Sequence, residues 1–380
     1  VASVPVVLVG GLHAQARGEV VQRLLAATPH SVAVHHDLRD IAHGVVWRVV
    51  FDAWGARERR EVRPAHDCVS CTIREDILHS VERLTGDARL LILETWDSVE
   101  PAAVAERIPA RPGIHLVAVL TAVDAAGLLI DISSPDRLSV RALTTSPEDE
   151  RRVAEVLCRQ IEYASGLVLC AVEDPQATAT ATTILRHLGA GTPLRHLDAS
   201  PLVPVDAPVD VAALAARVDP ATIRLPCDQD SGGVSTVTWR RLRPFHPARL
   251  YDAMNELAAA AVRSRGRFWM ANRPHTMLSW DGVAGLLAIK DHVPWLAALP
   301  AAAWDLVPAA RRVAASLDWY PKLGDRLQLL SFTGPDVNRD ALHTLLDSCL
   351  LTNEEMLQGS DAWQSYPDPF SGALDGSASD

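Results

Sequence analysis

The run Val4-Pro5-Val6-Val7-Leu8-Val9 ends on Gly10-Gly11, and Val20, Leu24 and Leu25 then follow at helical spacing. A short apolar run with no polar alternate face is a strand buried on both sides. A buried strand that passes through a glycine turn into a helix must return by a crossover, which points to an α/β fold with a mostly parallel sheet. The first half of the chain repeats the pattern. Apolar runs at 31–34, 90–93, 115–120 and 167–172 alternate with helical periodicity at 73–84 and 147–164. Residues 45–51 and 57–63, around Ala53-Trp54-Gly55-Ala56, read as a hairpin.

The texture changes after about residue 192. Pro193, Pro201, Pro204, Pro208, Pro220 and Pro226 lead into Asp228-Gln229-Asp230-Ser231-Gly232-Gly233. Residues 1–200 therefore read as one domain, 201–233 as a linker, 234–370 as a smaller α+β domain and 371–380 as a disordered tail. In the second domain, strands are expected at 234–242, 267–271, 276–280, 286–290 and 326–332, with helices at 247–262 and 338–346. A chain of 380 residues suits two cores. No twenty-residue apolar stretch and no basic leader before the first strand implies a cytoplasmic protein without a membrane span. Six cysteines fit a reducing compartment.

A strand–turn–helix is where a phosphate loop sits, and here it reads Gly10-Gly11-Leu12-His13-Ala14-Gln15-Ala16-Arg17. Phosphate binding needs a late glycine, a lysine for the β- and γ-phosphates and a hydroxyl for magnesium. Gln15, Ala16 and Arg17 stand in those three places. Of 36 basic residues only Lys290 and Lys322 are lysine, so nothing earlier supplies the missing ammonium. No nucleotide is expected. Arg17 is expected as a solvated residue at the helix start, with contact to an anion as the other reading.

These departures fall within a resemblance to the CobW-type family of metal-linked GTPases. The family's Gly-Phe-Leu-Gly-Ala-Gly-Lys-Thr loop aligns with residues 10–17, keeping Gly10, Leu12 and Ala14. Its Glu-Thr-Thr-Gly-Leu-Ala-Asp-Pro segment aligns with Glu94-Thr95-Trp96-Asp97-Ser98-Val99-Glu100-Pro101. Trp96 and Asp97 thus replace a hydroxyl and a glycine near the γ-phosphate. Thr121-Ala122-Val123-Asp124 matches a family strand end, but Cys170-Ala171-Val172-Glu173 stands where the guanine-reading Asn-Lys-x-Asp belongs. The resemblance implies a P-loop NTPase-like domain that has become a pseudo-GTPase, with no catalytic residues.

The family's Cys-x-Cys-Cys metal motif aligns with Cys68-Val69-Ser70-Cys71. Two thiolates at this spacing can meet on one zinc ion and need further ligands, for which His66, His35 or His36 are candidates. A metal-free relic turn and a redox pair are the other readings. Cys158, Cys170, Cys227 and Cys349 are expected to be structural, and the acids of Glu75-Asp76 and Glu354-Glu355 to lie on solvated helix faces.

The second half resembles a CobW carboxy-terminal domain through Arg243-Pro244-Phe245-His246-Pro247-Ala248-Arg249-Leu250, Gly324-Asp325-Arg326 and Leu345-Leu346-Asp347-Ser348-Cys349-Leu350-Leu351-Thr352. Cys68–Cys71 and the closing Trp363-Gln364-Ser365-Tyr366-Pro367-Asp368-Pro369-Phe370 are similar to an actinobacterial branch of the family. That branch includes a factor that brings a hibernation promoting factor to the ribosome under zinc limitation. The resemblance implies a non-catalytic adaptor with the ribosome and that factor as partners. The alternatives are a GTP-dependent zinc metallochaperone and a zinc buffer. Net charge is −11, but residues 234–350 carry 14 basic and 10 acidic groups. Arg240, Arg241, Arg243, Arg263, Arg265 and Arg267 are therefore candidates for rRNA contact, with a solvated sheet face as the other reading. Trp269 and Trp280 read as core. DNA is not expected as a partner.

Overall fold

The computed structural model describes residues 3–63, 69–84, 86, 88–144, 149–170, 174–203 and 208–374, with the side chains of 42, 69–72, 74, 82 and 373 left aside. Two compact units divide at Ala215 and Ala216. Within the first, eight strands form one sheet: β1 Val4–Gly10, β2 Ser31–Asp37, β3 Val46–Asp52, β4 Gly55–Val62, β5 Leu90–Glu94, β6 Ile114–Asp124, β7 Gly166–Cys170 and β8 Leu194–His196. Their order is β4-β3-β2-β5-β1-β6-β7-β8. The run from β2 to β8 is parallel, and the β3–β4 hairpin is added antiparallel at one edge. β1 lies between β5 and β6, and Val6 to Val9 are fully buried, as expected for an apolar run with no polar face. Helix Ala14–Ala27 closes one side with Val20, Val21, Leu24 and Leu25.

The second unit holds β9 Gln229–Ser231, β10 Val234–Arg241, β11 Arg263–Phe268, β12 Thr276–Val283, β13 Leu286–Pro294 and β14 Gln328–Pro335, ordered β13-β12-β11-β14-β10-β9 and antiparallel throughout. Helices Pro247–Ala259 and Arg339–Ser348 pack on an aromatic core of Trp239, Phe245, Phe268, Trp280 and Phe332. Trp280 satisfies its ring nitrogen on Ser264 Oγ at 2.9 Å, which suits a core indole. Trp269 is also buried.

Several expectations change. The described residues of 201–233 are tied in at several points: Leu202 and Val203 join the first core, Ala221 and Ile223 are buried, and Gln229–Ser231 is an edge strand. The final segment is helical at Ser371–Leu374, where Leu374 inserts into the second core; residues 375–380 lie outside the description. The helix expected from 147 starts at Val153, where Glu155 Oε2 accepts from the Arg152 backbone N–H at 3.4 Å. Cys158, Cys170 and Cys349 are buried, but Cys227 is exposed. Among the described residues no helix is long and apolar enough to cross a membrane.

Candidate functional site

β1 delivers Gly10 and Gly11 to the turn that opens helix Ala14–Ala27. Gly11 has φ +145°, and a Cβ there would lie 2.3 Å from the Ala122 carbonyl oxygen on β6. Only glycine permits that approach, so the tight turn keeps its glycine. Gln15 is exposed and donates to Glu19 Oε1 at 3.1 Å along the helix. Ala16, in the lysine position, is buried among Val7, Val9 and Val20.

Arg17 corrects the expectation of a solvated residue: its side chain is fully buried. Nη1 donates to the Gly11 carbonyl at 2.7 Å and lies 2.6 Å from Asp97 Oδ1, while Nε is 3.4 Å from Glu94 Oε1. The reason is topological. β5 runs beside β1 with Glu94 in register with Val9, so Glu94 and the Asp97 turn face the start of the helix. Two buried carboxylates need a cation, and Arg17 is the cation within reach. Burial works against charge on Glu94, but His35 and Arg17 outweigh it and hold the carboxyl below its ordinary value. At Asp97 burial prevails over Arg17 and raises the pKa. Beside the turn, His13 Nε2 sits 2.7 Å from Asp131 Oδ2, and this hydrogen bond raises the histidine pKa against the effect of burial.

His35 and His36 are neighbours on β2, so their side chains leave opposite faces and cannot share one ion. His35 Nδ1 lies 3.3 Å from Glu94 Oε2. His36 turns toward helix Val69–Leu84, where Nε2 is 2.6 Å from Asp76 Oδ2. Burial lowers the His36 pKa in spite of Asp76; Nε2 faces the carboxylate, and Nδ1 is buried without a hydrogen bond. Asp76 is not on a solvated face: its second oxygen accepts from Arg48 Nη1 at 2.7 Å. Glu355 likewise pairs with Arg249 at 2.7 Å.

His66 and Cys68 lie outside the described residues, as do Ala171, Val172 and Glu173; Cys71 is described only as helix backbone. Among the described residues no three His, Cys, Asp or Glu side chains are grouped to hold a metal. The six candidate RNA-contact arginines do not form one open patch. Arg263 and Arg267 are buried, the first on Asp281, the second on Asp318 at 2.6 Å and the Pro220 and Ile223 carbonyls. Alternation does put 263, 265 and 267 on one face, but at 263 and 267 that face is covered. Arg240 pairs with Asp318, Arg241 with Asp347, and Arg243 bonds Asn353 and the Leu351 carbonyl; Arg265 is half-buried and engaged. What sequence reasoning missed was the Arg17–Asp97 pair. The signal was available: a new cation at 17 and a new anion at 97 are complementary substitutions.

A parallel α/β sheet whose first strand feeds a glycine turn and helix, joined to an antiparallel α+β unit, defines a P-loop NTPase-like domain with a second domain. Residues 234–350 match the cobalamin synthesis protein cobW C-terminal domain. The chain belongs to the CobW family. It is 31% identical over 338 residues to the zinc chaperone Rv0106 of Mycobacterium tuberculosis, covering 80% of this chain and 78% of that protein. It is 25% identical over 341 residues to the zinc-regulated GTPase metalloprotein activator 1 of Dictyostelium discoideum, covering 81% and 70%. Among solved structures, zinc-bound YjiA GTPase from E. coli matches at 13% identity and TM-score 0.33, over 92% of this chain and 100% of that one.

Proposed function

We propose that this chain is a zinc-linked CobW-family protein that works by binding, without nucleotide hydrolysis. The observation behind the reading is Arg17, whose guanidinium lies among Glu94, Asp97 and the Gly11 carbonyl. GTP hydrolysis on such a loop requires magnesium held near a hydroxyl and an acid, and a lysine on the phosphates. Here a side-chain cation pairs with the acids and Ala16 offers no charge.

The zinc link draws support from the names of the relatives and from donor chemistry. Cys68 and Cys71 supply thiolates, and His36 is the better imidazole of the β2 pair. A carboxylate on one ring nitrogen and a free lone pair on the other is how metal-ligating histidines are oriented. Recruitment of a hibernation promoting factor to the ribosome is the adaptor form of this reading. It draws support from the Cys68–Cys71 and Trp363–Phe370 resemblances, and co-sedimentation with ribosomes from zinc-starved cells tests it.

Calorimetric titration with GTP and magnesium is expected to show no binding. Tight binding with magnesium-dependent turnover would overturn the proposal in favour of a GTP-driven zinc chaperone. In the same preparation, Cys68→Ser with Cys71→Ser is expected to lower zinc stoichiometry; an unchanged value removes this loop from the zinc site.

A further inference from the structure

The hairpin edge of the first sheet carries charge that neither the Arg17 site nor the zinc ligands use. β4 is the outermost strand and is largely exposed. The register sets Arg48 opposite Arg60. With Arg63 and with Asp76, His79 and Arg83 from helix Val69–Leu84, they surround an open groove of about 440 Å³.

The acids of this groove are taken from below. Buried Arg48 donates to Asp76 Oδ1 and to Glu58 Oε1, each at 2.7 Å, and His36 occupies the other Asp76 oxygen. At the rim Arg63 pairs with Glu61 at 3.1 Å. Arg60 and Arg83 are exposed, and neither makes an ion pair among the described residues. Glu58 feels them only through space: its carboxyl is held below its ordinary value first by the Arg48 hydrogen bond, with Arg83 and Arg60 adding to it. Charges on an edge strand discourage pairing with other strands. That purpose needs no second cation from a helix beside the same groove.

Trp54 stands at the hairpin tip, 79% exposed, and Arg59 stacks on Trp47 at 4.5 Å on the opposite face. Arg60 lies six residue steps along the chain from Trp54, roughly 20 Å at strand spacing. A mononucleotide does not reach both; a strand of several nucleotides does. A cationic groove for phosphates, with an exposed aromatic ring several nucleotides further along the same hairpin, suits single-stranded nucleic acid.

We propose that the β3–β4 hairpin and the adjoining helix face bind single-stranded nucleic acid, with phosphates at Arg60 and Arg83 and a base on Trp54. Arg60, Arg83 and Trp54 belong neither to the Arg17 site nor to the candidate zinc ligands, so the GTP and zinc titrations are independent of this test. Fluorescence anisotropy with labelled twelve-residue oligo-U and oligo-dT at low salt reads it, the two arms identifying the sugar. Log affinity against log salt is expected to slope by about −1.4 for two phosphates on a single strand. Arg60→Glu with Arg83→Glu is expected to weaken binding by at least roughly tenfold, and Trp54→Ala by roughly fivefold to a hundredfold. All three positions are exposed, and an unchanged melting curve confirms that the variants fold. Failure of the wild-type chain to bind either oligomer, or unchanged binding by the double variant, overturns the proposal. Equal affinity for a duplex of the same length overturns the stacking role of Trp54.

Discussion

Arg17 in the first unit and Arg267 in the second are both buried arginines beside a carboxylate, and they are satisfied in different ways. The Arg267 fork is filled: Nη2 meets Asp318 at 2.6 Å, and Nη1 reaches the Pro220 and Ile223 carbonyls at 2.8 and 3.2 Å. Arg17 uses Nη1 on the Gly11 carbonyl, while its Nε and Nη2 make no hydrogen bond. Both guanidinium groups lie against carboxylates, but only the second has its terminal nitrogens fully engaged in hydrogen bonds. Arg267 is a clip that ties the 220–223 segment to β11. Arg17 is a cation lodged beside the glycine turn that opens helix Ala14–Ala27, and a side chain placed there faces its carboxylates more readily than it fills every donor.

The strongest way to break this comparison is Arg17→Ala. It leaves Glu94 and Asp97 buried and facing each other, and about 3–5 kcal/mol of stability should be lost in chemical unfolding. Adding Glu94→Gln and Asp97→Asn should restore most of it. A single variant as stable as the wild type would mean that the acids do not depend on Arg17. Arg267→Ala should cost less, about 1–3 kcal/mol, because Asp318 keeps Arg240 at 3.1 Å and the stranded groups are mainly two carbonyls. Arg267→Lys sharpens the contrast: it keeps the charge but loses the fork, and should recover only part of the loss.

Much of the architecture could be read from local pattern. The apolar runs of β1, β5 and β6 and the hairpin around Trp54 follow from period and turn residues, which are short-range signals. The 201–233 segment defeated that logic because proline content reports backbone stiffness and says nothing about whether Leu202, Val203 or Ile223 finds a core. The site was legible by position but not by contact. Residues 10–17 and 94–97 were singled out, yet the Arg17–Asp97 pair spans eighty residues and depends on β5 lying beside β1. His36 and Asp76 were likewise noticed separately, and only the packing of helix Val69–Leu84 near β2 joins them.

The smallest expected effect is a difference in pH response between the units. In the first, Asp131 raises the pKa of His13 above 6.5, so the pair contributes stability that is full below 6.5 and fades as pH rises through the folded value. In the second, hydrogen bonds from Arg249 depress Glu355 to about 2 from 4.5, so its contribution is full above 4.5 and is lost as pH falls toward 2. The two pairs should therefore lose their contributions at opposite ends of the scale. Urea unfolding at a series of pH values, followed for each transition, checks this. His13→Asn should flatten the neutral limb of the first unit by less than about 1 kcal/mol, since the imidazole is partly open to solvent. Glu355→Gln should flatten only the acid limb of the second. If His13→Asn instead shifts the acid limb, the pair at the mouth of the glycine turn is coupled to Asp97, whose raised pKa lies on that side, and His13 then belongs to the same charge network as Arg17.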